Sequence, residues 1–216
     1  MLDGPKVERC TRWCFLLILL SISAVGGAQD QGTLCGTLRL CVYTYGYDQS
    51  RDNVNPNETV LKASTLQSLT PTSSPDLKGI VYAQPLYMSS VTINGTQVNA
   101  VYVATEENWV YALDSETLSV FWSTNLNVGS ETAVPDSVLP PVPTGRNNIA
   151  PEVGITGTPV IDPDGTTMFV VSKHKAGTTY TQRLNAVDLA TGTGQKPNAT
   201  CSASPGSCPG RVVSWH

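Results

Sequence analysis

The chain carries one sequence pattern twice, once from Pro85 to Asp114 and again from Pro159 to Asp188. Each proline opens an extended apolar stretch, and each aspartate ends an Ala-apolar-Asp triplet. The two intervals from proline to aspartate are equal in length, although the longer internal loop comes early in the first copy and late in the second. A long fixed period of this kind is typical of tandem supersecondary units, as in propellers and other repeat arrays.

The composition favours a folded, all-β chain. The 216 residues are enough for one domain, and 40% of them are hydrophobic, which is enough to form a core. Only 14% are charged and the net charge is −4, which argues against disorder, and the lack of basic runs argues against nucleic acid as a partner. The 18 glycines and 15 prolines, with no long helical period after residue 30, indicate short strands and turns.

The segment 1–28 has the pattern of a secretory signal peptide. Lys6, Arg9 and Arg12 precede an apolar run over residues 13–25, and small residues follow up to Ala28. This order predicts cleavage after Ala28 and a secreted or periplasmic protein. An uncleaved membrane anchor is the alternative, but a run of about 13 apolar residues is shorter than the roughly 20 that span a bilayer.

Four cysteines remain beyond the signal peptide: Cys35, Cys41, Cys201 and Cys208. In an oxidising compartment an even number of cysteines predicts disulfide bonds. The local pairs Cys35 with Cys41 and Cys201 with Cys208 would each close a short loop, but four cysteines allow three pairings and all stay open. No metal site is predicted, because no Cys-x-x-Cys occurs and both histidines lie far from any cysteine in sequence.

The first copy of the repeat reads as four short strands. Turn residues, including the hairpin signal Asn94-Gly95, separate four extended segments: Gln84 to Val91, Asn99 to Thr105, Trp109 to Asp114 and Ser119 to Asn125. Four antiparallel strands in about 43 residues make a unit of the size of a propeller blade. We therefore expect one blade here, with Pro85 on its first strand, Trp122 on its last, and no helix between Val98 and Leu126.

The stretch from Val101 to Trp122 resembles the repeat of the quinoprotein alcohol dehydrogenase-like β-propeller family, the pyrroloquinoline quinone (PQQ) repeat, whose consensus is Tyr-Ala-Leu-Asp-x-x-Thr-Gly-x-x-x-Trp. The first copy has the motif residues Ala112, Asp114 and Trp122, with Leu118 in place of the consensus glycine. The second copy has Ala186, Asp188 and Gly192, with Lys196 in place of the consensus tryptophan. The small alanine lets blades approach, the aspartate caps turn amides, and Trp122 fills the gap between sheets. Residues 42–194 together resemble the amino-terminal part of a secreted bacterial member.

This resemblance implies an all-β fold, a partial β-propeller of about two four-stranded antiparallel blades. The expected organisation is a signal peptide (1–28), an N-terminal extended segment (29–80), a first blade (81–127), an inter-blade loop (128–153), and a second blade with a Cys-bearing insertion (154–216). A closed propeller takes about four to eight blades. Further blades, from the same longer chain or from an oligomer, are therefore the expected partners, and we expect the chain to be a fragment that is not a stable monomer alone.

Loops on one face of such a propeller would gather eight candidate ligand-site residues: Glu106, Glu107, Asn108, Arg146, Asn148, Glu152, Lys173 and His174. Two interpretations stay open: a polar site at the central channel, with PQQ and calcium as the cofactors that the resemblance implies, or a solvated loop face. His174 by itself is interpreted as a surface residue. On the second interpretation, substitutions in loop 106–108 cost little, within about 0.5 kcal/mol, whereas Trp122→Ala costs about 3 to 5 kcal/mol.

No catalytic motif accompanies the repeat, since neither a nucleophile elbow, a phosphate-binding loop nor a zinc-protease motif occurs. The first functional hypothesis is an exported propeller with a binding or scaffold role, toward a small molecule or an envelope protein, and no catalysis of its own. The first alternative is a fragment of a PQQ-dependent alcohol or sugar dehydrogenase. The second is a cell-surface adhesion or envelope-assembly module that works through strand edges and loops.

Overall fold

The computed structural model describes residues 41–202 apart from 49, 56–60, 72, 74, 140–148 and 163–164, and of 195–202 it describes the backbone. These residues are mostly strand, with two short 3₁₀ helices, which confirms the all-β prediction. No helix among them is long and apolar enough to cross a membrane. The predicted signal peptide lies outside the described residues. The disulfide pairs stay predictions, because Cys41, buried in the first strand, is the one candidate whose side chain is described.

Eleven strands are described in chain order: β1 (Cys41–Val42), β2 (Leu86–Ile93), β3 (Thr96–Ala104), β4 (Trp109–Asp114), β5 (Val120–Asn125), β6 (Val134–Pro135), β7 (Glu152–Val153), β8 (Val160–Ile161), β9 (Thr167–Ala176), β10 (Thr179–Asp188) and β11 (Gly194–Ser202). The 3₁₀ helices are Leu66–Ser68 and Asp136–Val138. The strands form a five-stranded sheet, a four-stranded sheet and a two-stranded sheet of β6 and β7.

The first sheet has the order β1-β2-β3-β4-β5, with every neighbour antiparallel. Asn94 and Gly95 join β2 to β3 with φ of 52° and 78°, the left-handed pair that a two-residue hairpin turn requires. Strands β2 to β5 are the four predicted within residues 81–127, all of them described, and no helix lies there. Two details were wrong: Pro85 lies just before β2 instead of within it, and β1 adds an unpredicted fifth strand.

The second sheet is an antiparallel meander of β8, β9, β10 and β11. Its central hairpin is long, with ten residues in each of β9 and β10, and turns at Gly177 with φ of 58°. The chain that connects β5 to the second sheet is hydrogen-bonded to this hairpin. Thr132 and Lys175 exchange two backbone hydrogen bonds of 3.0 and 2.8 Å. The connection therefore runs along β9 before the chain enters the second sheet.

The sequence repeat is also a repeat of strand register. In the first sheet Leu86, Tyr102, Ala112 and Trp122 lie side by side across β2 to β5. In the second sheet the corresponding row across β8 to β11 is Val160, Phe169, Ala186 and Gln195. Val160 and Ala186 follow Leu86 and Ala112 by one full period, the interval that separates the two repeat prolines. The two sheets are thus built on one pattern, while their arrangement as propeller blades stays a prediction.

The two triplet aspartates make the same turn. Asp114 Oδ1 accepts hydrogen bonds from the backbone N–H of Glu116 and from both the N–H and the hydroxyl of Thr117, at 2.8 to 3.0 Å. Asp188 Oδ1 accepts the three equivalent bonds from Ala190 and Thr191, also at 2.8 to 3.0 Å. The hydrogen bonds from Thr117 and Glu116 hold the pKa of Asp114 below its usual value. The aspartate caps predicted from sequence are confirmed in both copies.

The sheets pack on each other through opposite faces. We call the face that bears the triplet alanine, Ala112 or Ala186, the A face of its sheet, and the other the B face. Tyr102 and Ala112 on the first A face share one buried apolar cluster with Met168 and Val187 on the second B face. The first sheet therefore covers the second by its A face, whereas the second uses its B face.

A stretch of chain ahead of β2 covers the B face of the first sheet. Val103, Tyr111 and Leu113 form a small buried cluster there, and Leu77 packs against it. The Lys78 N–H donates to the Tyr111 hydroxyl at 3.0 Å, while the Lys78 ammonium lies 4.7 Å from the centre of the Trp109 ring, a cation–π contact. Both faces of the first sheet are thus covered.

The two turns predict opposite effects of a glycine exchange. Leu118 has φ of 57° in the turn where Gly192 has 69°, and a left-handed residue with a Cβ costs about 1 to 2 kcal/mol. We expect Leu118→Gly to raise the free energy of unfolding by about 1 kcal/mol, since lost burial of the half-buried leucine offsets part of the gain. Gly192→Ala should lower it, because its Cβ would lie 2.4 Å from the Trp122 ring. Urea unfolding measures both, and a less stable Leu118→Gly protein would contradict this account.

Candidate functional site

The structure gathers polar side chains into one buried region between the two sheets. We call it the polar cluster: Glu106, Asn108, Asn127, Glu131, Ser172, His174, Arg183 and Asn185. They come from the β3–β4 loop, from the connection that follows β5, and from strands β9 and β10. The cluster thus joins three of the eight predicted site residues to five others.

The β3–β4 loop is a tight turn that points two of its polar side chains inward. Asn108 N–H donates to the Thr105 carbonyl at 3.1 Å, and Asn108 has φ of 63°, a conformation that asparagine tolerates well. Glu106 and Asn108 are both 0% exposed, whereas Glu107 between them is exposed. The interpretation of this loop as a solvated face was therefore wrong for Glu106 and Asn108.

Glu106 binds the segment between β7 and β8, which leads into the second sheet. Its Oε2 accepts hydrogen bonds from the Gly154 N–H at 2.7 Å and from the Thr156 hydroxyl at 3.0 Å. Gly154 has to be glycine here, because a Cβ would lie 2.0 Å from the Glu106 carbonyl oxygen and 2.6 Å from Asn108 Oδ1. The loop and the chain before β8 are therefore in direct backbone contact.

His174 is 1% exposed, so its interpretation as a surface residue was wrong. Its Nδ1 lies 2.9 Å from Asn127 Oδ1, and its Nε2 lies 2.6 Å from the Ser172 hydroxyl. Asn127 Oδ1 can only accept, so Nδ1 carries the proton and Nε2 accepts the hydrogen bond from Ser172. Asn108 donates to the same Asn127 oxygen at 2.8 Å, and Asn185 donates to the Ser172 oxygen at 2.7 Å. Both side chains that flank the ring are thus held by further partners.

The electrostatics favour a neutral imidazole. Burial lowers the pKa of His174 to about 4, and the nearby charge of Arg183 adds to the lowering while Glu131 opposes it. Glu131 Oε2 is 3.5 Å from His174 Nδ1, and its Oε1 pairs with the Arg183 guanidinium. Burial tends to raise the pKa of Glu131, but the hydrogen bonds from Arg183 and the Val128 N–H outweigh it and the pKa is lowered. The pair of Glu131 and Arg183 is therefore charged beside a neutral ring.

Ser172, His174 and Asn127 are connected in the order in which many acyl-transfer enzymes connect a nucleophile, a base and an orienting group. A nucleophile also needs access for the substrate carbonyl. Ser172 is 0% exposed and its oxygen already accepts the Asn185 amide. The arrangement therefore holds β9 and β10 against the first sheet and presents no reactive group to solvent.

The remaining predicted site residues do not join the cluster through their side chains. Glu152 is half-buried in β7 opposite Pro135, and burial, with the nearby charges of Glu107 and Glu106, raises its pKa. The Lys173 side chain is exposed, while its carbonyl accepts the Asn108 amide at 2.8 Å. Arg146 and Asn148 lie outside the described residues. The predicted ligand face is thus divided between the buried cluster and exposed positions.

Sequence reasoning missed five cluster residues: Asn127, Glu131, Ser172, Arg183 and Asn185. One signal was present in β9, where Met168, Val170, Ser172 and His174 alternate along the strand and share one face. Lys173 and Lys175 lie at the other parity, and their charges indicate that Ser172 and His174 face the interior. The other members contact these strands only in the folded structure, so the sequence pattern gives no signal for them.

The described residues do not fit a calcium–quinone site. Calcium takes six to eight oxygen ligands, whereas the β3–β4 loop offers three buried oxygens without a hydrogen-bond partner: Thr105 Oγ1, Glu106 Oε1 and Asn108 Oδ1. Nowhere in the described part of the chain do three or more histidine, cysteine, aspartate or glutamate side chains come together to hold a metal ion. No chemistry through PQQ or calcium is therefore derived for these residues.

Comparison with known proteins gives no relative: the chain matches no protein-family model, no curated protein and no solved structure. The resemblance to the PQQ repeat accordingly rests on the motif residues alone.

Two adjacent glutamates provide a matched test of the cluster. Glu106→Ala would leave the buried Gly154 N–H and Thr156 hydroxyl without a partner, so we expect a loss of about 2 to 3 kcal/mol of unfolding free energy. Glu107→Ala, one residue away and exposed, should change it by less than about 0.5 kcal/mol. Equal denaturation midpoints for the two variants would contradict the role given to Glu106.

His174 predicts a loss of stability in mild acid. Its folded pKa of about 4 lies below the usual 6.5, so the unfolded chain binds the proton first, and stability present above pH 6.5 falls progressively toward pH 4. Glu131 and Asp114 also lose stabilising charge in acid, so His174→Gln serves as the control that keeps them. Urea unfolding across this range should give a steeper decline for the wild type than for His174→Gln, and parallel declines would refute the assignment.

Proposed function

We propose that this chain is an exported scaffold module of propeller-type repeats, which binds other molecules through exposed surfaces and catalyses no reaction by itself. The observation that carries the proposal is the packing of the first A face on the second B face. Successive propeller blades use opposite faces in this way, because each blade follows the last by the same rotation. A two-fold sandwich of the two sheets would instead bring the same face of each together.

The contact between the repeat motifs supports the same proposal. Trp122 and Tyr102 from the first sheet both donate to the Leu189 carbonyl, from Nε1 at 3.1 Å and from the hydroxyl at 3.2 Å. Thr124 donates to the Gly192 carbonyl at 2.6 Å. The tryptophan of one repeat thus contacts the Asp-capped turn of the next, and the resemblance implies a related role for Trp122, which is to fill the gap between the sheets.

The polar cluster supports a scaffold over a catalyst. Its serine and histidine are buried and hydrogen-bonded to one another, and Glu131 pairs with Arg183. Buried polar networks of this kind fix how two elements pack, because each bond has a required geometry. Binding is left to the exposed loops and sheet edges. Export through residues 1–28 is part of the proposal and rests on their sequence pattern.

A cofactor titration separates the scaffold from the dehydrogenase alternative. The chain without residues 1–28 is mixed with PQQ and calcium, and its thermal unfolding and the quinone absorbance are followed. We expect neither to change. A ligand present at 100 times its Kd stabilises a protein by about 2.7 kcal/mol, so a clear rise of the melting temperature would favour a PQQ-dependent dehydrogenase fragment. Binding of an envelope protein to the immobilised chain, unaffected by PQQ and calcium, would support the scaffold role.

A further inference from the structure

Three consecutive apolar residues ahead of β2 are exposed to solvent. We call them the apolar patch: Ile80, Val81 and Tyr82, with exposed fractions of 44%, 39% and 47%. Single exposed apolar side chains are common on protein surfaces, whereas contiguous ones mark places where a protein binds another molecule. The patch is therefore a candidate binding surface, and none of its residues belongs to the polar cluster.

The chain is held in place on both sides of the patch. Gly79 has φ of 86°, and a Cβ on it would lie 2.9 Å from the backbone nitrogen of Glu107 and 2.9 Å from the Glu107 Cβ. The Ile80 carbonyl accepts a hydrogen bond from the Glu106 N–H at 2.9 Å. On the other side, Ala83 is buried in the apolar cluster between the sheets. The fold thus presents the patch beside the β3–β4 loop.

The surface beside the patch is negatively charged. Glu107 is exposed, and Glu152 is half-buried in β7. Burial raises the pKa of Glu152, and the charges of three nearby carboxylates raise it further: Glu107, Glu106 and Asp136. Among the described residues neither Glu107 nor Glu152 forms a salt bridge, and the Lys78 ammonium is held over an aromatic ring. A positive charge from outside would therefore be attracted to this surface.

We propose that the apolar patch binds a peptide segment of a partner protein in which lysine or arginine is adjacent to apolar residues. The apolar side chains cover Val81 and Tyr82, and the cationic side chain lies against Glu107. This inference rests on the proposed function and names the partner of one surface. A second copy of the chain fits less well, because like carboxylates would meet, and an anionic membrane would meet the same repulsion.

Selection from a library of random peptides on the immobilised full chain tests the proposal. A retained peptide is labelled, and its Kd for the wild type and for each variant is measured by fluorescence anisotropy. Val81→Ser and Glu107→Gln change the surface. Val120→Ser and Glu116→Gln are the matched controls, because Val120 is 47% exposed and both residues lie at the end of β4 away from the β3–β4 loop. Equal melting temperatures establish that all four variants are folded.

We expect the retained peptides to be rich in lysine or arginine adjacent to apolar residues. Val81→Ser should weaken the binding of such a peptide by about tenfold, because an apolar contact is lost. Glu107→Gln should weaken it by about threefold and reduce its dependence on salt, as for an exposed ion pair. Both control variants should bind the peptide as the wild type does.

A selection that retains no peptide, or only peptides without basic residues, would overturn the proposal. Equal binding of a retained peptide to Val81→Ser and to the wild type would do the same. Self-association in sedimentation, or binding to phosphatidylglycerol vesicles, would assign the patch to another occupant if Val81→Ser abolished it, and would equally overturn the proposal. The scaffold role is measured separately by the envelope-protein assay, so the two proposals can fail independently.

Discussion

The described structure depends on the contact between Trp122 and the turn of the second repeat. Its ring lies against Gly192, at a distance that leaves no room for a Cβ, and its Nε1 shares the Leu189 carbonyl with the Tyr102 hydroxyl. One glycine thus meets two demands, a left-handed φ for the capped turn and close contact for the ring. The same packing of the two sheets places His174 of β9 beside the β3–β4 loop, where its Nδ1 lies 3.4 Å from the Asn108 amide nitrogen.

Apolar burial draws the sheets together but does not by itself fix their relative position, because it is nearly independent of direction. The polar cluster fixes the relative position of the sheets, because its hydrogen bonds are directional. Asn108 donates to both Asn127 and the Lys173 carbonyl, and Glu106 binds the chain that enters β8. A shift of one sheet past the other would break these bonds in a place that water does not reach. The cost of unpaired buried groups makes this one arrangement strongly preferred.

The sequence predicted the local structure well and the buried site poorly. The hairpin at Asn94-Gly95 and both aspartate caps depend on residues a few positions apart in sequence. The repeat period of the sequence predicted two similar sheets. Burial of Glu106 depends instead on Gly154, which is distant in sequence, and polar loop residues ordinarily face solvent. The same reason explains His174, whose lysine neighbours suggested the surface although its strand parity with Met168 placed it inside. Strand β1 was missed because two residues carry too little pattern.

The stretch around Leu77 has a consequence for assembly. An interface that joins unlike faces has no built-in stopping point, so identical chains that exposed both faces could add to one another without limit and form fibres. Here the chain's own residues around Leu77 shield the B face of the first sheet, as the end caps of repeat proteins shield their terminal units. While Leu77 stays in place, another sheet cannot pack on that face in the way that the first sheet packs on the second.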